Sequence, residues 1–116
     1  MAIKILSVDD ELDLEILLTQ YFRRKIKKGE YEFHFAHNGL EALQMLLAMP
    51  DFDVILSDIN MPEMDGRTFL KQLKASSTFN FIPVIILSSL ESSNDRIELL
   101  EAGASDFVLK PFNPQE

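Results

Sequence analysis

Short runs of β-branched and other apolar residues alternate along the chain with longer stretches whose apolar residues return every three or four positions. The short runs are Ile3-Lys4-Ile5-Leu6-Ser7-Val8, Tyr31 to Ala36, Val54-Ile55-Leu56-Ser57-Asp58, Val84-Ile85-Ile86-Leu87-Ser88 and Phe107-Val108-Leu109. They read as strands, the second alternating with Phe33 and Phe35 on one face. Leu14, Leu17, Leu18, Tyr21 and Phe22 fall at helical spacing, and Gly29 closes that helix. Leu40, Leu43, Leu46 and Leu47 mark a second helix, stopped by Pro50; Phe69, Leu70 and Leu73 mark a third. Ser92 to Ala102 is the fourth, with Ser92 and Asp95 at capping-box spacing and Gly103 as its stop. Strands separated by helices, and apolar on both faces, require a parallel sheet covered on both sides. With right-handed crossovers the expectation is a doubly wound α/β fold, five strands in the order 2-1-3-4-5.

One domain is expected from 116 residues, and 47% apolar content suits a real core. The chain has no cysteine, which removes disulfides, thiolate catalysis, zinc fingers and iron–sulfur clusters and fits a reducing compartment. No apolar run approaches the ~18 residues of a membrane span. Acids come too early at the N-terminus for a secretory signal. A soluble, cytoplasmic chain is therefore expected. Eleven Lys and Arg against nineteen Asp and Glu give a net charge of −8. That is the wrong sign for nonspecific binding to nucleic acid or an anionic membrane. With no glycine-rich phosphate loop, nucleoside triphosphate binding is not expected.

In open α/β sheets, ligands bind at the carboxyl ends of the strands, near the point where strand order reverses. Here strand one runs into Asp9-Asp10, strand three ends in Asp58, strand four runs into Ser88-Ser89 and strand five into Lys110. Strands one and three flank the reversal point in the expected order. Three close carboxylates repel, so a proton or cation must join them, and an all-oxygen site with few protein ligands suits Mg²⁺. The metal and Lys110 would balance three carboxylates. A metal, a cation and a hydroxyl donor are what a phosphoryl group needs around its oxygens, and a carboxylate can be its covalent acceptor. Each residue also has a plain alternative. Asp9 or Asp10 could cap the first helix, Asp58 and Asp65-Gly66 could be turn residues, Ser88 and Ser89 could satisfy local backbone, and Lys110 could be a solvated strand end.

Arg23, Arg24, Lys25, Lys27 and Lys28 fall at the end of the expected first helix, where cations complement the helix dipole; a partner-binding patch is the alternative. His34 and His37 lie away from the strand ends that matter, and Met45, Met49, Met61 and Met64 read as core or loop packing.

With these residues in this order the chain resembles the receiver domains of two-component response regulators, a flavodoxin-like, chemotaxis-regulator-like fold. The matching segments are Val8-Asp9-Asp10-Glu11, Asp58-Ile59-Asn60-Met61-Pro62-Glu63-Met64-Asp65-Gly66, Pro83 to Ser88, Glu101-Ala102-Gly103-Ala104-Ser105-Asp106-Phe107 and Lys110-Pro111-Phe112. The resemblance implies that Asp58 accepts a phosphoryl group from the phosphohistidine of a histidine kinase or a histidine phosphotransfer protein. It implies Mg²⁺, with Mn²⁺ able to substitute, held by Asp10, Asp58 and the backbone carbonyl of Asn60, with Asp9 acting through a metal-bound water. Lys110 would pair with a phosphoryl oxygen, Ser88 would donate its hydroxyl to another, and Phe107 would be the aromatic switch. The Lys110–Pro111 bond would be cis. The state of Asp58 would control an output domain, attached or separate, without direct nucleic-acid or membrane binding. Three residues depart from the commoner pattern: Ser88 replaces Thr, Ser89 stands where Ala or Gly is usual, and Phe107 replaces the Tyr of some relatives.

Two other readings compete. An aspartyl-phosphate phosphatase of the haloacid-dehalogenase type would be a true turnover enzyme, but it wants an Asp two residues beyond its nucleophile, where Asn60 stands. A pseudo-receiver would lack Asp58, Asp10 or Lys110, and all three are present. The chain is expected to be the N-terminal receiver part, residues 1–116, of a longer protein. Asn113, Pro114, Gln115 and Glu116 open a fifth helix that is cut after about one turn. The sheet face it would cover is then expected to be exposed and to promote pairing of two copies.

Overall fold

The computed structural model describes residues 2–49, 51–58, 66–88, 97 and 100–109, with residues 66, 67, 88 and 107–109 described by backbone alone. Parallel strands β1 (Ile3–Val8), β2 (Tyr31–Ala36), β3 (Val54–Asp58), β4 (Val84–Ser88) and β5 (Asp106–Leu109) form a sheet ordered β2-β1-β3-β4-β5. Helices α1 (Leu12–Tyr21), α2 (Arg23–Lys27), α3 (Gly39–Ala48) and α4 (Gly66–Ala75) run between them. The parallel α/β layout and the order β2-β1-β3-β4 are those expected; β5 pairs with β4 beyond them, Ser88 facing Leu109. The expected helix over Ser92 to Ala102 falls mostly outside the described residues, and the one opened by Asn113 falls wholly outside them.

Alternation along β1 divides the core. Leu6 and Val8 face one side, where they pack with Ile55, Val84 and Ile86 against Leu46 of α3 and Phe69, Leu70 and Leu73 of α4. The opposite side carries Leu14 and Leu18 of α1 with Leu87, Phe33, Phe35 and Leu56. On that second side, Ile3, Ile5, Tyr31, Phe33, Leu56 and Ile85 line an apolar groove toward the amino ends of the strands. Phe52, Phe79 and Ile82 lie outside regular elements, yet they join the first core. Met45 and Met49 pack against it, as expected.

Asn38 caps α3: its Oδ1 accepts the Glu41 N–H at 2.8 Å. Asn38→Ala is expected to cost about 1 kcal/mol of unfolding free energy. Urea denaturation checks this, and an unmoved midpoint would show that the cap contributes nothing.

The expected single helix from Leu14 to Gly29 is two. The chain leaves helical geometry at Phe22 (φ −97°, ψ 15°) and restarts as the five-residue α2. The cause is aromatic packing on β2. The Phe22 ring stacks on Phe33 at 5.7 Å and meets Tyr31 at 5.5 Å and Tyr21 at 4.7 Å. Aromatic pairs contribute about 0.5–1.5 kcal/mol each, which outweighs one turn of helix propagation. The last turn of α1 therefore has no basic residue, and the cations assigned to its end belong to α2 and its C-cap Lys28 instead. Gly29 closes α2 at φ +74°, a conformation that suits glycine.

Long-range polar contacts tie the loops down. Lys4 Nζ lies 2.9 Å from Asp51 Oδ1, which raises the lysine above its ordinary pKa and lowers the carboxyl below its own. Lys74 Nζ donates to the carbonyls of Asn80 (3.0 Å) and Ile82 (3.1 Å), and burial lowers its pKa. The stem of Lys74 passes so close to Gly103 (φ +117°) that a Cβ there would sit 2.6 Å from Lys74 Cγ. Gly103 thus meets both a backbone and a space requirement before β5.

Candidate functional site

The site is assembled from the carboxyl ends of two adjacent strands. In the parallel pairing of β1 with β3, Val8 lies opposite Ser57, so Asp9 and Asp58 leave the sheet side by side. Both are buried, Asp9 at 6% and Asp58 at 5% exposure, whereas Asp10 and Glu11 face solvent. One carboxylate oxygen from each of Asp9, Asp10, Glu11 and Asp58 lies within 4.8 Å of the others.

Backbone contacts hold this geometry. The Asp9 N–H donates to Ala36 O at 3.0 Å, tying the end of β1 to that of β2. Asp9 Oδ1 accepts the Glu11 N–H at 2.8 Å, and Ser57 Oγ donates to the Asp58 carbonyl at 3.0 Å. The plain alternative for Asp9 is thus partly realised, since its carboxylate stabilises the turn into α1. The N-cap residue itself is Glu11, which makes no side-chain cap bond. Its extended backbone (φ −91°, ψ 115°) leaves its side chain at the cluster rather than over the helix.

Of the residues singled out in the sequence, Asp9, Asp10 and Asp58 are brought together. Ser88 ends β4, the strand next to β3, and Phe107 lies opposite Ile86 on β5; for both, only the backbone is described. Asn60, Ser89, Lys110 and the Lys110–Pro111 bond fall outside the described residues. Glu11 is a fourth carboxylate without an assigned role from the sequence. Its position directly after Asp9-Asp10, at the N-cap of α1, is the signal that could have found it. The histidines stay apart from this site: His34 Nε2 contacts Glu32 at 2.6 Å, and His37 lies between Glu15 (3.5 Å) and Glu41 (3.4 Å).

Four carboxylates this close, two shielded from water, create a strongly negative pocket that a small cation neutralises. All-oxygen donors, two of them open to solvent so that a metal can keep waters, fit Mg²⁺ better than a soft metal. Among the described residues no helix is long and apolar enough to cross a membrane.

The sequence profile of the "Response regulator receiver domain" matches residues 5–116. Response regulator MprA of Mycobacterium ulcerans is 34% identical over 116 residues, all of this chain and 47% of that protein. Response regulator PleD of Caulobacter vibrioides is 41% identical over 115 residues, 97% of this chain and 24% of that protein. The chain thus spans less than half the length of these curated relatives. Among solved structures, the chemotaxis protein CheY4 of Vibrio cholerae superposes with a TM-score of 0.85 at 33% identity, covering 99% of this chain and 92% of that one. The phosphorylated cyanobacterial phytochrome response regulator RcpA does so with a TM-score of 0.86 at 26% identity, covering 99% and 85%.

Proposed function

Given that this chain belongs to the response regulator receiver domain family, we propose that it is a phosphoaccepting switch in which Asp58 takes a phosphoryl group from a partner's phosphohistidine. Receiver domains are signalling modules rather than turnover enzymes. The observation that carries the reading is the placement of Asp58: a buried carboxylate at the carboxyl end of β3, beside β1, in a cluster with Asp9, Asp10 and Glu11. A relative of the same fold is described in its phosphorylated form, which supports it.

In this reading one Asp58 oxygen bonds to phosphorus as the P–N bond to imidazole breaks, and the imidazole, already protonated on its other ring nitrogen, leaves as a neutral base. Asp10, Asp58 and the carbonyl of Asn60 would hold Mg²⁺, or Mn²⁺ in its place, with Asp9 holding it through water. The metal's chemistry, when bound, is to offset the negative charge of carboxylates and phosphoryl group together. Lys110 pairs its ammonium with a phosphoryl oxygen. The Ser88 hydroxyl donates to another, drawing the end of β4 inward so that Phe107 follows. The donor is a histidine kinase or histidine phosphotransfer protein in the cytoplasm, and the readout is an output domain, attached or separate.

Intact mass after incubation with acetyl phosphate and Mg²⁺ tests the proposal. A lasting phosphoryl adduct supports it. Continuous phosphate release without an adduct would indicate a phosphatase, and no change a pseudo-receiver; either result overturns it.

Two further outcomes follow. Asp10→Asn removes one ligand charge, so Mg²⁺ is expected to raise its melting temperature much less than that of the wild type, while relieved repulsion raises its metal-free value. Equal metal-induced shifts would refute the site. Ser88→Ala is expected to accept phosphate yet lose the conformational response. Amide exchange with beryllofluoride reads this over residues 90–109, where a response identical to the wild type's would count against the switch.

A further inference from the structure

The acidic cluster occupies the carboxyl edge of the sheet. Near the opposite edge, where the Glu30 carbonyl accepts the Ile3 N–H and β2 begins, lies a concentration of the other sign. Arg23, Arg24, Lys25, Lys27 and Lys28 hold five of the chain's eleven positive charges within six residues, although its net charge is −8. All five are exposed. Lys25 pairs with Glu30 at 3.4 Å and lies over the Tyr31 ring at 5.4 Å. Among the described residues, Arg23, Arg24, Lys27 and Lys28 make no ion pair.

Their spacing makes this notable. Lys28 still has helical backbone, and its N–H bonds to the Arg24 carbonyl at 3.0 Å. Arg23 with Lys27 and Arg24 with Lys28 are therefore like-charged neighbours one turn apart, an arrangement that destabilises a helix. Packing of Phe22 on β2 holds this short helix in place despite that repulsion. An anionic group seated between each pair relieves it. The patch extends roughly 9 Å along the helix axis, less than one turn of duplex DNA. A duplex is a long polyanion, and the chain's net charge of −8 disfavours its running on beyond the patch. A peptide with a few carboxylates at extended spacing fits within the patch and avoids that repulsion. We propose that residues 23–28 are a docking surface for a short acidic segment of a partner protein, separate from the phosphoacceptor edge.

Fluorescence anisotropy of a labelled tetraglutamate peptide tests this, beside a duplex of about 20 base pairs and vesicles containing phosphatidylglycerol. The comparison protein carries R23Q, R24Q, K27Q and K28Q together. The wild type is expected to bind the peptide in a salt-sensitive manner, and the variant at least about tenfold more weakly. The variant should also melt at or above the wild-type temperature, because its like-charge pairs are gone, and should label with acetyl phosphate at the wild-type rate. Three outcomes overturn the proposal: equal peptide binding by the two proteins, tighter binding of duplex or vesicles than of peptide, or a lower melting temperature in the variant, which would make the cations part of the fold's own stability.

Discussion

Asp58→Asn is expected to end covalent labelling while leaving the fold in place. With acetyl phosphate and Mg²⁺ the wild type should gain about 80 Da, the mass of one phosphoryl group on a carboxylate. The variant should label at less than about one hundredth of that rate, since it has lost the nucleophile itself rather than a supporting group. The fold should persist because the substitution keeps shape at a site only 5% exposed, and the Ser57 hydroxyl bonds to the Asp58 backbone carbonyl, which the change does not touch. Without metal the variant should melt at or above the wild-type temperature, because one of four crowded carboxylates has become neutral. Labelling at the wild-type rate would move the acceptor to another acid, with Asp10 the first to map by peptide digestion. A markedly lower melting temperature would make the Asp58 charge structural.

The largest stability effect is expected at Phe69. Its side chain is fully buried beneath α4, in the cluster with Leu6, Ile55 and Ile86. Phe69→Ala removes the whole buried ring and leaves a cavity, at about 3–5 kcal/mol. A domain of this size has about 5–15 kcal/mol in all, so the variant should be partly unfolded at modest urea concentrations. Phe81 provides the contrast: it is 70% exposed, and Phe81→Ala should change stability by less than about 0.5 kcal/mol. Urea melts of the two variants side by side decide the matter. Similar midpoints would mean that the α4 face of the sheet is not the main core.

Much of this was readable from local pattern. The bounds of β1, β3 and β4 follow from runs that are apolar on both faces, because a strand buried on both sides tolerates few polar residues along its length. Asp9 and Asp58 were legible as members of one acidic cluster for a related reason. Each stands where such a run stops, and parallel strands all stop at the same edge. Tertiary structure alone decided the rest. The helical spacing through Tyr21 and Phe22 describes one continuous helix, whereas the folded chain breaks it at Phe22, whose ring packs on Phe33 and Tyr31 of the next strand. Phe52, Phe79 and Ile82 carry no periodic signal, because they are buried by what packs over them rather than by the element they belong to. Lys4 meets Asp51 across 47 residues of chain, and Glu11 reaches the acidic cluster through the turn that the Asp9 side chain makes. Periodicity reports the local backbone and the side it buries. Which side chains finally meet is set by strand register and by the energetic competition between one helical turn and an aromatic stack, and both of those exist only in the folded chain.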